Sequence, residues 1–211
     1  MRSPSGVLGS LDLAISGLPA ETGPGRAGET ALGLVLSDAQ LIALARTAHA
    51  QAFEMLYGAY KARIYTFLLR MLGEPETADD VAQDVFTKAF RALPTLTAEH
   101  RVLPWLYRVA NNAAVDHIRR GRRFTWLRIG NLHGTPEEPQ TADEHGRVPE
   151  REHVQATLRK LPPENASALL LHALEGYSYR EIAEIQGCTM TAVRSRIARA
   201  RASFKAQYAT K

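Results

Sequence analysis

Residues 105–123, WLYRVANNAAVDHIRRGRR, decide how the rest of the chain is read. Leu106, Val109, Ala110, Ala113 and Ala114, with Ile118 beyond them, recur at the spacing of a single helix face. Asn112, Asp116, Arg119, Arg120 and Arg123 fall at i, i+4, i+7, i+8 and i+11 and therefore share the opposite face. Arg119, Arg120, Arg122 and Arg123 crowd its end around Gly121, a residue that can stop a helix. Two readings are open for this face. Cations at a helix C-terminus complement the helix dipole, so it can be a well-capped, solvated surface. Alternatively, amides and a carboxylate leading into four arginines suit a polyanion whose bases come within reach.

The chain has 211 residues, 45% hydrophobic and 23% charged, enough for one large or two small globular domains. A net charge of +4 is a modest argument for nucleic acid, but the charge is segregated. Basic residues cluster at 119–123 and 194–201, and Glu137, Glu138, Asp143, Glu144, Glu150 and Glu152 lie between them. The single cysteine, Cys188, excludes an intrachain disulfide and a Cys-based zinc site. The histidines have no ligand spacing, so no metal and no cofactor is expected. No apolar run approaches the roughly 20 residues needed to span a bilayer, and the start of the chain lacks the charged and apolar regions of a secretion signal. A cytoplasmic protein without membrane insertion is expected.

Residues 1–36, rich in Gly, Pro, Ser and Ala, read as a disordered tail or as a start placed too early. Ser37 is a good N-cap for a first helix, AQLIALARTA. A second helix is predicted over 52–72, with Phe53, Leu56, Tyr60, Ile64, Phe67, Leu68 and Met71 in helical period and Gly73 at its end. Pro75 breaks the chain, and the sequence from Thr77 to Asp80 resembles a capping box for a third helix over 78–93. Val81, Val85, Ala89 and Ala92 can face its core; Asp80, Asp84, Thr87 and Arg91 line the other side, with Phe86 and Phe90 on a flank. Acid beside exposed phenylalanine is unusual for a merely solvated face. A loop over 94–104 then leads to the helix quoted first, so residues 37–123 make a four-helix domain.

Residues 124–149 lose periodicity and are punctuated by Gly and Pro, as in a flexible linker, with Trp126, Leu127 and Ile129 as apolar exceptions. A second helical domain covers 150–211. Its helices are REHVQATLRKL, then one opened by Pro162-Pro163 and stopped by Gly176, then YREIAEIQ behind a Ser178–Glu181 capping box, then MTAVRSRIARARASFKAQY. A short helix, a turn with Gly187 and a longer basic helix form a helix-turn-helix. Val193, Ile197, Ala200 and Phe204 take its core side, leaving Arg194, Ser195, Arg196, Arg199 and Arg201 to project elsewhere. Arg194 and Ser195 would reach base edges, and Arg196 or Arg199 bases or phosphates. A solvated arginine-rich helix, or one that binds RNA or an acidic protein, remains the alternative for this element alone. There is no nucleophile with a base, no Gly-rich phosphate loop and no evident acid pair, so the protein is read as a non-enzyme.

Taken together these stretches resemble the extracytoplasmic-function (ECF) sigma factors, initiation subunits of bacterial RNA polymerase in the sigma-70 family. The matching segments are AFEMLYGAYKARIYTFLLRMLG, ADDVAQDVFTKAFRAL, PWLYRVANNAAVDHIRRGRR and LPPENASALLLHALEGYSYREIAEIQGCTMTAVRSRIARAR. The resemblance implies an all-α fold of two small domains on a flexible linker, partnered by the polymerase core (the clamp helices of its largest subunit, and its flap) and by promoter DNA. It places Asp80, Gln83, Asp84, Phe86 and Thr87 against the clamp helices. It places Asn112 and Asp116 in a pocket for a flipped base of the downstream promoter box, completed by the loop before Trp105. Arg119, Arg120, Arg122 and Arg123 would hold the backbone there, and Arg194, Ser195, Arg196 and Arg199 would read the upstream box. It further implies an anti-sigma partner; because the sequence ends soon after the last helix, no appended regulatory domain is expected. Glu164-Asn-Ala-Ser167 departs from the more charged pattern common in that helix. Two other readings compete: a helix-turn-helix regulator that binds operators alone, and an adaptor that has lost productive DNA contact.

Overall fold

The computed structural model describes residues 36–129 and 149–208, with side chains over 36–122 and 154–206. Among the described residues every regular element is helical. The helices are α1 (Asp38–Thr47), α2 (His49–Leu72), α3 (Pro75–Ala92), α4 (Val102–Ile129), α5 (Pro149–Lys160), α6 (Pro163–Ala173), α7 (Tyr179–Gln186) and α8 (Met190–Tyr208), with a short 3-10 turn at Leu93–Thr95. Expected tail and linker residues 1–35 and 130–148 lie outside the described residues, as do the side chains of Trp126, Leu127 and Ile129.

Local chemistry explains the boundaries. Ser37 accepts from the Gln40 N–H while the Gln40 side chain accepts from the Ser37 N–H, a full capping box for α1. Gly73 ends α2 in the left-handed region, at φ 81°, with its N–H donating to the Leu69 carbonyl at 2.8 Å. A Cβ on Gly73 would also lie 2.6 Å from Nε of Arg159, so its bareness lets α5 come close. The third helix begins earlier than its sequence predicts. Pro75 opens α3 in the first turn, where its missing N–H costs nothing, and Thr77 donates to the Glu74 carboxylate at 2.7 Å instead of capping. The fourth helix is longer at both ends than expected. It starts at Val102, whose N–H donates to the Asp38 carboxylate at 3.1 Å, and it runs through Gly121 to Ile129. Gly121 has open space around it and no left-handed backbone, so it interrupts nothing.

The N-terminal helices wrap α2. Leu56, Ile64, Phe67 and Leu68 are buried, as are Val81, Val85 and Ala89 of α3 and Leu106, Ala110 and Ala114 of α4. Each large apolar side chain so buried contributes roughly 1.5–3 kcal/mol. In the C-terminal half, α6 is buried nearly all round, Asn165 and Ser167 included, and packs between α7 and α8, which bury Ile182, Ile185, Val193, Ile197 and Phe204. The full Ser178–Glu181 capping box opens α7, and Gly187 (φ 61°) with the Cys188 N–H on the Ala183 carbonyl closes it.

The two halves are not separate beads. Helices α5 and α6 touch α2, and α6 and α7 pack on α4, so one apolar core runs through both. Tyr107 of α4 meets Tyr177 edge-on at 5.5 Å and Phe67 edge-on at 5.4 Å, and both tyrosines are buried. A reading of two domains on a linker does not anticipate this seam.

Candidate nucleic-acid interface

Helix α3 presents two faces to two neighbours. On the α2 side an apolar groove of about 490 Å³ is walled by Phe53, Tyr57, Tyr65, Phe86 and Phe90, with Gln83 and Thr87 at its polar edge. Phe86 departs from expectation: it is 4% exposed and its ring abuts Tyr57 edge-on at 4.9 Å. Phe90 is the exposed aromatic, at 40%, and stacks on His49 at 4.1 Å. Helix spacing accounts for the difference, since Phe86 follows Ala82 by one turn and both face α2.

On the α4 side a smaller, polar pocket of about 270 Å³ is lined by Asp84, Lys88, Asn112, Asp116, His117 and Arg120 above Val81 and Val109. The residues expected to meet polymerase therefore divide. Gln83, Phe86 and Thr87 line the aromatic groove, Asp84 lines the polar pocket, and Asp80 is exposed on α3 but lines neither. The expected downstream-box residues divide as well. Asn112, Asp116 and Arg120 come together in the polar pocket, with Arg120 Nε donating to the Asp116 carbonyl at 3.2 Å. The amide of Asn112 accepts from Asn111 at 3.3 Å, which orients it.

Arg119 and Arg122 face elsewhere. The Arg119 guanidinium pairs with the Glu164 carboxylate of α6. Arg122 donates to the carbonyls of Arg159 and Leu161, at 3.3 and 3.2 Å. The side chain of Arg123 lies outside the described residues.

Around these contacts lies the rest of the seam. Ser167 donates to the buried amide oxygen of Asn111, and Gln186 donates to Ser167 at 3.2 Å. Arg63 pairs with Glu175 at 3.0 Å and Arg101 with Glu181 at 2.6 Å. Partial burial works against the Glu181 carboxylate, but the bonds from Arg101 and Ser178 hold its pKa below the ordinary value. Burial, reinforced by the Glu175 charge, pushes the Tyr107 hydroxyl well above its usual pKa; burial chiefly does the same for Tyr177. Neither hydroxyl has a hydrogen-bond partner; Tyr107 stands beside Glu175 without bonding geometry.

The last helix carries the expected readers unequally. Arg194 and Arg199 are exposed, and Ser195 is half-buried. Arg196 is turned inward, donating to Gln186 at 2.7 Å and to the Cys188 sulfur at 3.2 Å, so it braces the helix-turn-helix. Thr189 caps the helix by accepting from the Ala192 N–H at 3.2 Å. Met190, 55% exposed, stands at the first turn beside this surface.

Sequence reasoning missed Tyr57 and Tyr65 of the groove and nearly all of the seam. The signals were present: aromatics off the core stripe of α2, and Asn165 and Ser167 inside an otherwise apolar helix. Among the described residues, no helix is long and apolar enough to cross a membrane.

A helical protein with a basic helix-turn-helix and an aromatic groove beside a polar, arginine-edged pocket is a nucleic-acid-binding factor that also docks on protein. Residues 56–124 match the family described as Sigma-70 region 2, and residues 151–204 match Sigma-70 region 4. The RNA polymerase sigma-H factor of Pseudomonas aeruginosa is 34% identical over 173 residues, covering 78% of this chain and 90% of that protein. The ECF RNA polymerase sigma-E factor of Escherichia coli K12 is 31% identical over 175 residues, covering 79% and 91%. A solved structure of CnrH in complex with the cytosolic domain of CnrY superposes with TM-score 0.60 at 29% identity, covering 82% of this chain and 98% of that one. The sigma factor RpoE of Bartonella quintana, solved with the anti-sigma factor NepR, has the same fold: TM-score 0.59 at 20% identity, covering 75% and 98%. The chain belongs to the sigma-70 family as an ECF-type RNA polymerase sigma factor. It is a non-enzymatic initiation factor whose partners are the polymerase core and promoter DNA.

Proposed function

We propose that the work of initiation divides along the two faces of α3. The aromatic groove, with Gln83, Phe86 and Thr87, receives the clamp helices of the polymerase largest subunit, and Asp80 and Asp84 flank it with negative charge. The polar pocket behind it, with Asn112, Asp116 and Arg120, takes an unpaired base of the downstream box, while Arg119, Arg122 and Arg123 hold its phosphates. Arg194, Ser195 and Arg199 read the upstream box, and Arg196 holds their helix in place. The single observation that carries this reading is that α3 lines both cavities, with Gln83, Phe86 and Thr87 on the groove and Asp84 and Lys88 on the pocket, so polymerase docking and strand capture share one helix.

Residues 37–123 and 150–211 act as the downstream and upstream modules, joined by 124–149. Binding two boxes through one chain raises affinity by effective concentration. An anti-sigma protein is a third partner. Support comes from the solved relatives, one in complex with an anti-sigma factor and another with the cytosolic domain of CnrY. Polymerase and promoter place the protein in the cytoplasm, associated with the nucleoid when bound to polymerase.

The test is run-off transcription with core polymerase, comparing the wild-type protein with Asp84→Arg. The substitution inserts a cation beside Lys88 and Arg120. It is expected to weaken core binding and lower transcript yield with the helical fold intact. Unchanged core affinity would remove Asp84 from the docking surface.

A further inference from the structure

We propose that the free protein is self-latched: carboxylates and carbonyls of the C-terminal half occupy the α4 arginines that would otherwise hold DNA phosphate. The inference rests on the reading of Arg119 and Arg122 as backbone contacts and adds regulation to that site. Its basis is the one-sided chemistry of the seam. Among the described residues the ion pairs across it, Arg63–Glu175, Arg101–Glu181 and Arg119–Glu164, all put the arginine in the N-terminal half and the glutamate in the C-terminal half. Arg122 follows the same polarity, donating to the α5 carbonyl of Arg159 and to the Leu161 carbonyl just beyond it.

The Arg119 Nη2 that donates to Glu164 cannot at the same time donate to a phosphate, and the carboxylate offsets the charge that a phosphate would meet. Strand capture therefore competes with closure, and a polyanion is the ligand that opens the latch. The competition is balanced because Arg119 and Glu164 remain partly exposed, at 58% and 24%, where an ion pair is weak and screened by salt. Behind them the Asn111–Ser167 bond fixes the register of closure without using any group that DNA would need.

The test compares full-length wild type with Glu164→Gln/Glu175→Gln/Glu181→Gln, which leaves every proposed DNA-contacting residue in place. Affinity is read by anisotropy of a short labelled single-stranded DNA of mixed sequence, and closure by the radius of gyration in small-angle scattering. The variant is expected to expand and to bind about three- to tenfold more tightly. If the loss of buried Glu175 prevents folding, Glu164→Gln alone decides, with about a twofold gain expected. Arg119→Gln is the control for the underlying reading: it should also loosen closure but bind DNA more weakly. Unchanged size and affinity in the glutamine variants, or expansion with no gain in affinity, overturns the latch while a weakened Arg119→Gln leaves the phosphate role standing. DNA affinity unaffected by Arg119→Gln overturns that role instead, and the competition with it.

Discussion

Replacing Tyr177 by phenylalanine should make the protein more stable and a poorer binder of free DNA. The Tyr177 hydroxyl is buried in the seam and has no hydrogen-bond partner. Closing the seam strips water from it and returns nothing, at a cost of about 1–3 kcal/mol. Phenylalanine keeps the edge-on contact with Tyr107, 5.5 Å between centroids at 78°. The absent oxygen leaves a void no larger than a methyl group, which takes back up to about 1 kcal/mol. The net gain is about 1 kcal/mol for the closed state. Because one core runs through both halves, that gain should appear in a single thermal transition as a rise of roughly 2–4 °C in Tm. Under the latch mechanism the same gain opposes opening, so the affinity for single-stranded DNA should fall by about fivefold. Circular-dichroism melts and anisotropy titrations of one protein preparation measure both. A lower Tm for Tyr177→Phe would mean that the hydroxyl has a partner, whether Glu175 or water, and would refute the reasoning.

Other outcomes follow from the same geometry. Tyr107 and Tyr177 have folded-state pKa values above the ordinary 10.0, so their titration leaves stability unchanged below that pH and lowers it as pH rises through and beyond it. An ultraviolet phenolate titration should show some of the seven tyrosines ionising only on unfolding, and uniform ionisation near 10.0 in a folded chain would contradict this. Arg199→Ala should cost upstream-box binding about 1–3 kcal/mol if the guanidinium reads a base. Arg196→Ala should instead lower Tm, by about 1 kcal/mol of stability, and change box discrimination less; equal losses of discrimination would return Arg196 to the reading surface. Gly73→Ala should destabilise the chain by at least about 1 kcal/mol, because its left-handed backbone and the Arg159 side chain both oppose a Cβ.

The helices themselves were legible because each is specified locally. The capping boxes at Ser37 and Ser178, Gly73 and Gly187 as terminators, and the apolar stripes of α2, α4 and α8 act within a few residues of the chain. Boundaries were misplaced where a local signal had a competitor. Thr77 resembled a cap, but Pro75 suited the first turn better; Gly121 resembled a stop, but nothing at that point required a left-handed turn. The individual site residues were visible as types and spacings, whereas their grouping was not. Phe86 and Asp84 are two residues apart in sequence and open onto different cavities, which follows from the packing of α2 and α4 on either side of α3. The seam was invisible for a stronger reason. Nothing in the sequence marks Glu164, Glu175 and Glu181 as the partners of distant arginines; even Glu181 is fully accounted for locally by its capping box.

The distance between those partners has a bearing on synthesis. Glu164 emerges 45 residues after Arg119, and translation at about 5–20 residues per second puts roughly 2–9 s between them. During that interval the N-terminal helices can fold on the ribosome with Tyr107 and Asn111 uncovered. The nascent chain thus passes through a window in which an apolar, arginine-rimmed face is available to a chaperone, to nucleic acid or to another nascent copy before its own C-terminal half arrives to cover it.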